Sequence, residues 1–255
     1  MRTLAMRLRG AVVPLALLLL AEAGMRAAGT QSDALARPSE VALALGEALG
    51  DGSLLRASAQ TLGAGGAGLL VGGGLGLAAG LWFGLSPLAG RLSALTVELL
   101  KPVPSVALIP IAMLLFGFGY RMEILVVAFT CFFPMLMLSQ AAVAGVEPRL
   151  LEMGTVIGLT RRQRVWKIVL PAALPRILVG FRLAVGIALV VAVTVEIAAN
   201  PYGLGYGLMI AQQSLRPDLM FAFLFWIGAL GWGLNALMVA LQRRCITPFN
   251  QGAAS

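Results

Sequence analysis

The side chains that could do chemistry in this chain are few, and they form no catalytic or metal-binding pattern. The 255-residue sequence contains no histidine, so the commonest general base and the commonest metal ligand are absent. Its two cysteines, Cys131 and Cys245, lie far apart, and we expect neither a disulfide nor a four-ligand zinc site from them. We therefore predict no metal, no cofactor and no enzymatic activity for the chain itself.

The sequence also lacks the glycine-rich loop, G-x-x-x-x-G-K-[ST], with which many proteins hold the phosphates of ATP. Only two lysines are present, Lys101 and Lys167, and neither follows such a loop. If the protein uses ATP, a separate protein must bind and hydrolyse it.

The composition is that of a chain that lies mostly in lipid. Hydrophobic residues make up 59% of the sequence and charged residues only 12%, with a mean hydropathy of +0.91. Soluble domains average about 25% charged residues. The net charge of +8 comes from basic residues that lie between apolar runs. That pattern is typical of cytoplasmic loops of membrane proteins, and it argues against a nucleic-acid partner.

Apolar runs separated by polar segments predict an all-α membrane protein with about six transmembrane helices, since one span needs about 20 mostly apolar residues. The predicted spans are residues 10–25, 62–85, 103–118, 123–142, 177–199 and 221–241. The first run also resembles a signal peptide, with Ala21-Glu22-Ala23 as its cleavage site. We favour a retained helix, because everything after it is membrane-embedded.

The basic residues give an orientation. With the N-terminus in the cytoplasm, most of the 19 lysines and arginines fall in cytoplasmic segments. We predict a multi-pass protein of the bacterial inner membrane with both termini in the cytoplasm. The chain then divides into an N-terminal helix and periplasmic segment (1–61), a transmembrane domain (62–241) and a cytoplasmic tail (242–255).

The polar segment 145–176 is the most informative part of the sequence. A first short helix is expected to end at Gly158, and Thr160-Arg161-Arg162-Gln163 has the pattern of a capping box that opens a second one. Pro171 and Pro175 are expected to stop that second helix before the next span. Two amphipathic helices held on the cytoplasmic face would form a docking element.

This loop resembles the signature of ABC importer permeases, which reads E-A-A, three residues, G, nine residues and then I-x-L-P. The chain has Glu152-Met153-Gly154, then Gly158, then Ile168-Val169-Leu170-Pro171, and every spacing matches. It departs from the pattern at Met153-Gly154, which replaces the two alanines. Glycine costs about 1 kcal/mol relative to alanine inside a helix.

Further stretches resemble the nitrate/sulfonate/taurine branch of these permeases, and the similarity extends over about residues 53–241. The matching stretches are Lys101-Pro102-Val103-Pro104 with Pro110 and Phe116-Gly117-Phe118-Gly119, Leu170-Pro171-Ala172-Ala173-Leu174-Pro175 with Gly180-Phe181-Arg182, and Glu196 with Gly203-Leu204-Gly205-Tyr206.

The resemblance implies a division of labour. The permease supplies the pathway through the membrane lipid, a cytoplasmic ABC ATPase supplies the energy, and a periplasmic substrate-binding protein delivers the solute. A second copy of the permease would complete a homodimer. The loop would be the coupling helix that contacts the ATPase, and its expected coupling residues are Glu152, Gly158, Ile168, Leu170 and Pro171.

Two charged residues in the fifth span are candidates for the translocation pathway. Arg182 either snorkels to the cytoplasmic headgroups or lines a path for an anion. Glu196 lies near the periplasmic end of the same span, and ionisable groups in spans are costly and often functional.

A ridge of glycines in the second span predicts close helix packing. Five glycines recur every four residues, which places them along one side of a helix and lets another backbone approach. They are Gly68, Gly72, Gly76, Gly80 and Gly84. The ridge serves either tight packing within the subunit or a surface that slides during transport.

Two other functions were weighed against the permease hypothesis. A stand-alone secondary transporter or channel usually has several charges or broken helices near the membrane midplane, and here only Arg182 and Glu196 qualify. A membrane anchor without a transport role leaves the coupling loop unexplained. The identity of the transported solute does not follow from the sequence.

Overall fold

The computed structural model describes the backbone of residues 2–27 and 34–250, and the side chains of residues 12–27 and 34–244. Within these residues the chain has the all-α fold that its composition predicts. The helices are α1 Arg2–Ala27, α2 Pro38–Gly50, α3 Ser53–Gly68, α4 Gly74–Leu85, α5 Pro87–Leu100, α6 Ile109–Phe116, α7 Tyr120–Ala144, α8 Pro148–Val156, α9 Arg161–Arg164, α10 Leu170–Ala198, α11 Leu204–Gln213 and α12 Pro217–Asn250.

Two π-helical turns and one 3₁₀ turn link some of these helices. The π turn Leu69–Gly73 joins α3 to α4, and the π turn Val165–Val169 joins α9 to α10. The 3₁₀ turn Ser105–Leu108 precedes α6.

Four continuous helical stretches of the described chain are long and apolar enough to cross a membrane. They are Ser53–Leu85, Tyr120–Ala144, Arg161–Ala198 and Pro217–Arg244. The pair Pro87–Leu100 and Ser105–Phe116, bent by 82°, would make a fifth. The first predicted span, 10–25, falls within α1, but its first two side chains lie outside the described residues. The count of six spans therefore stays a prediction.

The third predicted span differs from the observed structure. The sequence predicted one helix over 103–118, but the structure has two helices, α5 and α6, that meet at a sharp bend. The bend follows Lys101, where Pro102 and Pro104 remove two main-chain N–H donors and disfavour helical geometry in the residues before them. We did not predict α5 as a helix.

The prediction that Pro171 and Pro175 stop the second loop helix was wrong. The helix that begins at Arg161 continues through both prolines to Ala198. Pro171 falls in the first turn of α10, directly after the π turn, where the regular ladder of hydrogen bonds is already interrupted. A proline lowers the stability of a helix least at such a position.

The N-terminal segment contributes a surface helix. This helix is α2, in which apolar residues recur at helical spacing around residues 41–49. Ala44 and Ala48 are buried, and Ala48 packs in a cluster with Leu54 of α3 and Phe223 of α12. The helix that follows begins at Ser53, nine residues before the predicted start of the second span.

Helix α7 lies at the centre of the fold, between α3–α4 on one side and α10 on the other. Val127, Cys131 and Met135 of α7 form one buried cluster with Ala184 and Ala188 of α10. The Cys131 thiol donates a 3.7 Å hydrogen bond to the carbonyl oxygen of Ala184. Alanines four residues apart on α10 keep that face narrow, so that the two helices pack closely.

The glycine ridge faces α7 along its whole length. A Cβ atom added at Gly72, Gly76 or Gly80 would overlap main-chain atoms of α7. At Gly68 and Gly84 the nearest atoms belong to the side chains of Val127 and Val143. The structure thus places the ridge in a contact within the subunit.

The π turn explains how glycines four residues apart stay on one face. In a regular helix of 3.6 residues per turn, each step of four residues rotates by about 40° beyond a full turn. Five glycines would therefore drift by about 160° around the axis. The π turn Leu69–Gly73 uses more residues per turn and reverses part of this drift. Gly68 and Gly84 consequently both contact α7.

Candidate functional site

The loop between α7 and α10 is built around a sharp corner at Gly158. Helix α8 begins at Pro148 and ends in a Schellman motif. The N–H of Leu159 donates to the carbonyl of Gly154 at 2.9 Å, and the N–H of Gly158 donates to that of Thr155 at 3.0 Å. Gly158 has a φ of +75°, which glycine adopts without the strain that a side chain would bring.

A capping box starts the next helix two residues later, as the sequence predicted. The Thr160 hydroxyl accepts from the N–H of Gln163 at 3.3 Å, and the Gln163 side chain accepts from the N–H of Thr160 at 2.9 Å. The Schellman motif ends at Leu159 and the capping box begins at Thr160, so the two motifs are adjacent. Together they fix the angle between α8 and α9 by local hydrogen bonds.

The departure from the signature at Gly154 has a packing explanation. Gly154 is buried, and a Cβ atom there would lie 2.7 Å from Cδ1 of Ile168 and 3.2 Å from Cγ of Arg164. The guanidinium of Arg164 also donates a 2.7 Å hydrogen bond to the Thr155 hydroxyl. The missing methyl group lets α8 approach the following helix closely. Alanine at this position would require the Ile168 side chain to shift.

The expected coupling residues divide between two faces of the loop. Glu152 and Gly158 are exposed. Ile168, Leu170 and Pro171 are half-buried. Leu170 and Pro171 line a cavity of about 360 Å³ beside Leu77 and Leu81 of α4 and the start of the fifth predicted span.

Several apolar side chains on the exposed face of the loop are unusually open. The exposed fractions are 87% for Val156, 70% for Ile157, 63% for Met153 and 65% for Trp166. Met153, Val156 and Ile157 follow Glu152 at the end of α8, and Trp166 lines the cavity beside α4. Exposed apolar patches with a polar rim mark surfaces for protein or membrane partners.

The two candidate pathway residues are not brought together. Arg182 donates a 2.7 Å hydrogen bond from Nε to Oδ1 of Asn235, which links α10 to α12. Glu196 lies 14 residues further along α10, about 21 Å away by helical rise.

Glu196 is 1% exposed and caps the start of α11. Its Oε2 accepts from the N–H of Gly205 at 2.8 Å. Two side chains of α3 accept from the neighbouring N–H groups: Thr61 from Leu204 at 2.9 Å, and Gln60 from Gly203 at 3.2 Å. The first N–H groups of a helix have no partner within it, and three side chains supply acceptors here.

A second buried carboxylate, Glu123 in the first turn of α7, is not among the residues predicted from the sequence. It is 1% exposed, and its Oε2 accepts a 2.5 Å hydrogen bond from the amide of Asn200. This bond ties the start of α7 to the turn after α10. A glutamate at the beginning of an apolar run is the feature of the sequence that could have indicated this residue. Its partner Asn200 lies 77 residues away in the sequence, and no local pattern connects the two.

Residues 72–246 match the family described as "Binding-protein-dependent transport system inner membrane component". The chain is 33% identical over 179 residues to a Bacillus subtilis protein named as an aliphatic sulfonates transport permease, SsuC, covering 70% of this chain and 65% of that protein. It is 33% identical over 175 residues to the Escherichia coli taurine transport system permease protein TauC, covering 69% of this chain and 63% of that protein.

The fold is similar to that of a chain in the inward-facing MetNI methionine ABC transporter. The TM-score is 0.61 at 18% identity, and the match covers 75% of this chain and 94% of that chain. At this identity the likeness concerns the fold alone. The chain spans just under two thirds of the length of SsuC and TauC.

Proposed function

The chain belongs to the family of inner-membrane components of binding-protein-dependent transport systems, and we propose that it acts as the permease subunit of an ATP-driven importer. The resemblance to the nitrate/sulfonate/taurine branch is confirmed by SsuC and TauC. The family and the apolar helices make it a multi-pass protein of the inner membrane. In the proposal, its helices form the pathway, and a partner hydrolyses the ATP.

The loop between α7 and α10 is the observation that carries this proposal. Its corner is fixed by two adjacent capping motifs, so that α8 is held at a set angle to the helix that follows. The apolar side chains of Met153, Val156 and Ile157 are left open beside Glu152. A rigid, partly apolar projection of this kind suits a cleft in a soluble partner, and we assign it to the ATPase.

The remaining partners follow from the same family. A periplasmic substrate-binding protein would deliver the solute, and a second copy of the chain would supply a second coupling loop. We propose a homodimer because ATP is hydrolysed in these systems between two ATPase subunits. We further propose a small organic molecule with an anionic sulfonate group as the substrate, since SsuC is named for aliphatic sulfonates and TauC for taurine, which carries the same group.

Substitutions in the loop test the coupling role. Gly158→Val forces a β-branched side chain into a φ of +75°, and Glu152→Lys reverses an exposed charge on α8. We expect both variants to reach the membrane and assemble, while ATP-driven uptake in reconstituted vesicles falls at least about tenfold. Because ATP binding and hydrolysis reside in the partner, ATP hydrolysis should persist without transport.

Two matched controls lie outside the loop. Gly186→Val adds the same side chain to α10 where no atom lies within 4 Å, and Glu47→Lys makes the same charge reversal on exposed α2. Both should transport at the wild-type rate. Normal uptake by both loop variants would refute the coupling role.

A further inference from the structure

A cavity of about 440 Å³ lies at the bend between α5 and α6, against α7. Its size is in the range of small-molecule sites, about 300–1,000 Å³. The lining side chains that matter here are Lys101, Ser105, Phe129, Thr130, Phe133 and Met137.

The cavity lies against the central part of helix α7. Helix α7 has 25 residues and is therefore about 37 Å long. Thr130 and Phe133 are the eleventh and fourteenth of those residues, close to its centre. The bend that carries Lys101 faces this part of α7. Interrupted helices near the midplane commonly hold the solute site in transporters.

Lys101 brings a positive charge to this cavity without a counter-charge. Among the described residues, the ion pairs join Arg26 to Glu22, Arg37 to Glu40 and Arg216 to Asp218, and none involves Lys101. Glu98, one turn earlier on α5, makes no ion pair with it. The Lys101 side chain is exposed, so its ammonium is accessible to an anion that enters the cavity.

The other walls of the cavity divide into a polar and an apolar part. Ser105 supplies a hydroxyl beside Lys101. The Thr130 hydroxyl donates to the carbonyl of Val126 at 2.8 Å and can exchange this internal bond for one to a bound group. Phe129, Phe133 and Met137 supply apolar surface. This combination fits a small anion with a short apolar body.

We propose that this cavity is a binding subsite for a small organic anion, with the Lys101 ammonium paired to its charged head group. The inference rests on the proposed transport function and specifies where the permease recognises the solute. Neither Arg182 nor Glu196 lines this cavity. Arg182 is hydrogen-bonded to Asn235 instead, and Glu196 to the N–H of Gly205.

Removing the charge tests the subsite during transport. The intact importer is reconstituted in vesicles, and uptake of taurine and of ethanesulfonate is measured for Lys101→Gln and Lys101→Arg. We expect uptake to fall at least about tenfold in Lys101→Gln and to be largely retained in Lys101→Arg. Stimulation of ATP hydrolysis by the binding protein should persist in both variants, which separates loss of the subsite from loss of coupling.

Arg91→Gln is the matched control, because it removes an exposed positive charge ten residues before Lys101, and Arg91 does not line the cavity. Its uptake should equal that of the wild type. Equal uptake by Lys101→Gln and Arg91→Gln would overturn the subsite. A wild-type complex without ATP-driven uptake would instead contradict the proposed function. The thiol-reaction rates described next would then still show whether the cavity binds an anion.

Thiol chemistry tests the subsite without transport. Thr130→Cys is made in the full-length chain with Cys131 and Cys245 replaced by alanine. Its rate of reaction with the anionic reagent methanethiosulfonate ethylsulfonate is compared with the rate for neutral methyl methanethiosulfonate. We expect Lys101→Gln to lower this anionic-to-neutral rate ratio at least about fivefold.

Ethanesulfonate should also slow the anionic reaction when Lys101 is present, and it should have no effect in Lys101→Gln. A rate ratio that is the same with lysine and glutamine, with no protection by ethanesulfonate, would overturn the proposal.

Discussion

Glu196 shows how a single carboxylate can be tolerated inside a membrane bundle. A buried ionisable group is costly unless it is hydrogen-bonded. Here its acceptor capacity is used by the N–H of Gly205, and the positive end of α11 lies against it. Gly203 has room for no side chain, because an added Cβ would overlap the Glu196 carboxylate. The glutamate and the glycine-rich turn therefore form one structural unit.

Replacing Glu196 tests this capping role. Glu196→Ala leaves the Gly205 N–H without an acceptor in a buried position, which costs about 1–3 kcal/mol. Glu196→Gln keeps an oxygen that can accept the same bond. We expect the alanine variant to lower the melting temperature of the detergent-purified protein clearly more than the glutamine variant does. Equal melting temperatures for wild type and Glu196→Ala would contradict the capping role.

At the residue scale, local patterns were predictable and distant partners were not. The Gly158 corner and the Thr160–Gln163 capping box are confirmed, because all their hydrogen bonds join residues within five positions. Glu196 was singled out from its position in a span. Its neighbours at the α11 cap include Thr61, more than a hundred residues earlier, and only the folded chain brings them together.

Helix α4 gives the clearest prediction at the scale of elements. Gly76→Leu places a large side chain against the main chain of α7 at Phe132, and overpacking typically costs about 1–3 kcal/mol. Gly74→Leu, two residues earlier on the same helix, is the matched control because no atom lies within 4 Å of an added Cβ.

We expect Gly76→Leu to lose assembly or uptake, measured by particle mass in detergent and by transport in vesicles. Gly74→Leu should behave as the wild type, and ATP binding by the separate ATPase should be unaffected in both. A fully active Gly76→Leu variant would show that the ridge is not a close contact.

The elements themselves were predictable where apolar composition decides them. Continuous stretches around α4, α7, α10 and α12 correspond to predicted spans. The bend at Lys101 was missed because its prolines occur at the edge of an apolar run, where they also suit the start of a helix. The continuity through Pro171 was missed because proline patterns do not reveal a π turn upstream.

At the scale of the whole molecule, orientation remains to be measured. The basic residues predict that the C-terminal tail lies in the cytoplasm and that residue 32 faces the periplasm. An impermeant thiol reagent should therefore label Cys245 only in inverted vesicles, and Ser32→Cys should be labelled in intact cells. The buried Cys131 serves as the unreactive internal reference. Labelling of Cys245 in intact cells would contradict the predicted orientation and indicate the opposite one.

The bend between α5 and α6 also bears on the alternative of a secondary transporter, in which we expected broken helices near the midplane. The structure has a break between α5 and α6, which together would make one candidate span. The family match nevertheless favours the importer. The ATPase contact that we propose for the loop between α7 and α10 would have no role in a secondary transporter.

The unbroken helix from Arg161 to Ala198 has a mechanical consequence. Its 38 residues make a bar about 57 Å long, one end of which belongs to the coupling loop and the other to the cap of α11. If the bar pivots at one end, a tilt of about 10° moves the other end by about 10 Å. A lever arm of this length turns a small rotation imposed on the loop into a large stroke at the opposite face of the protein.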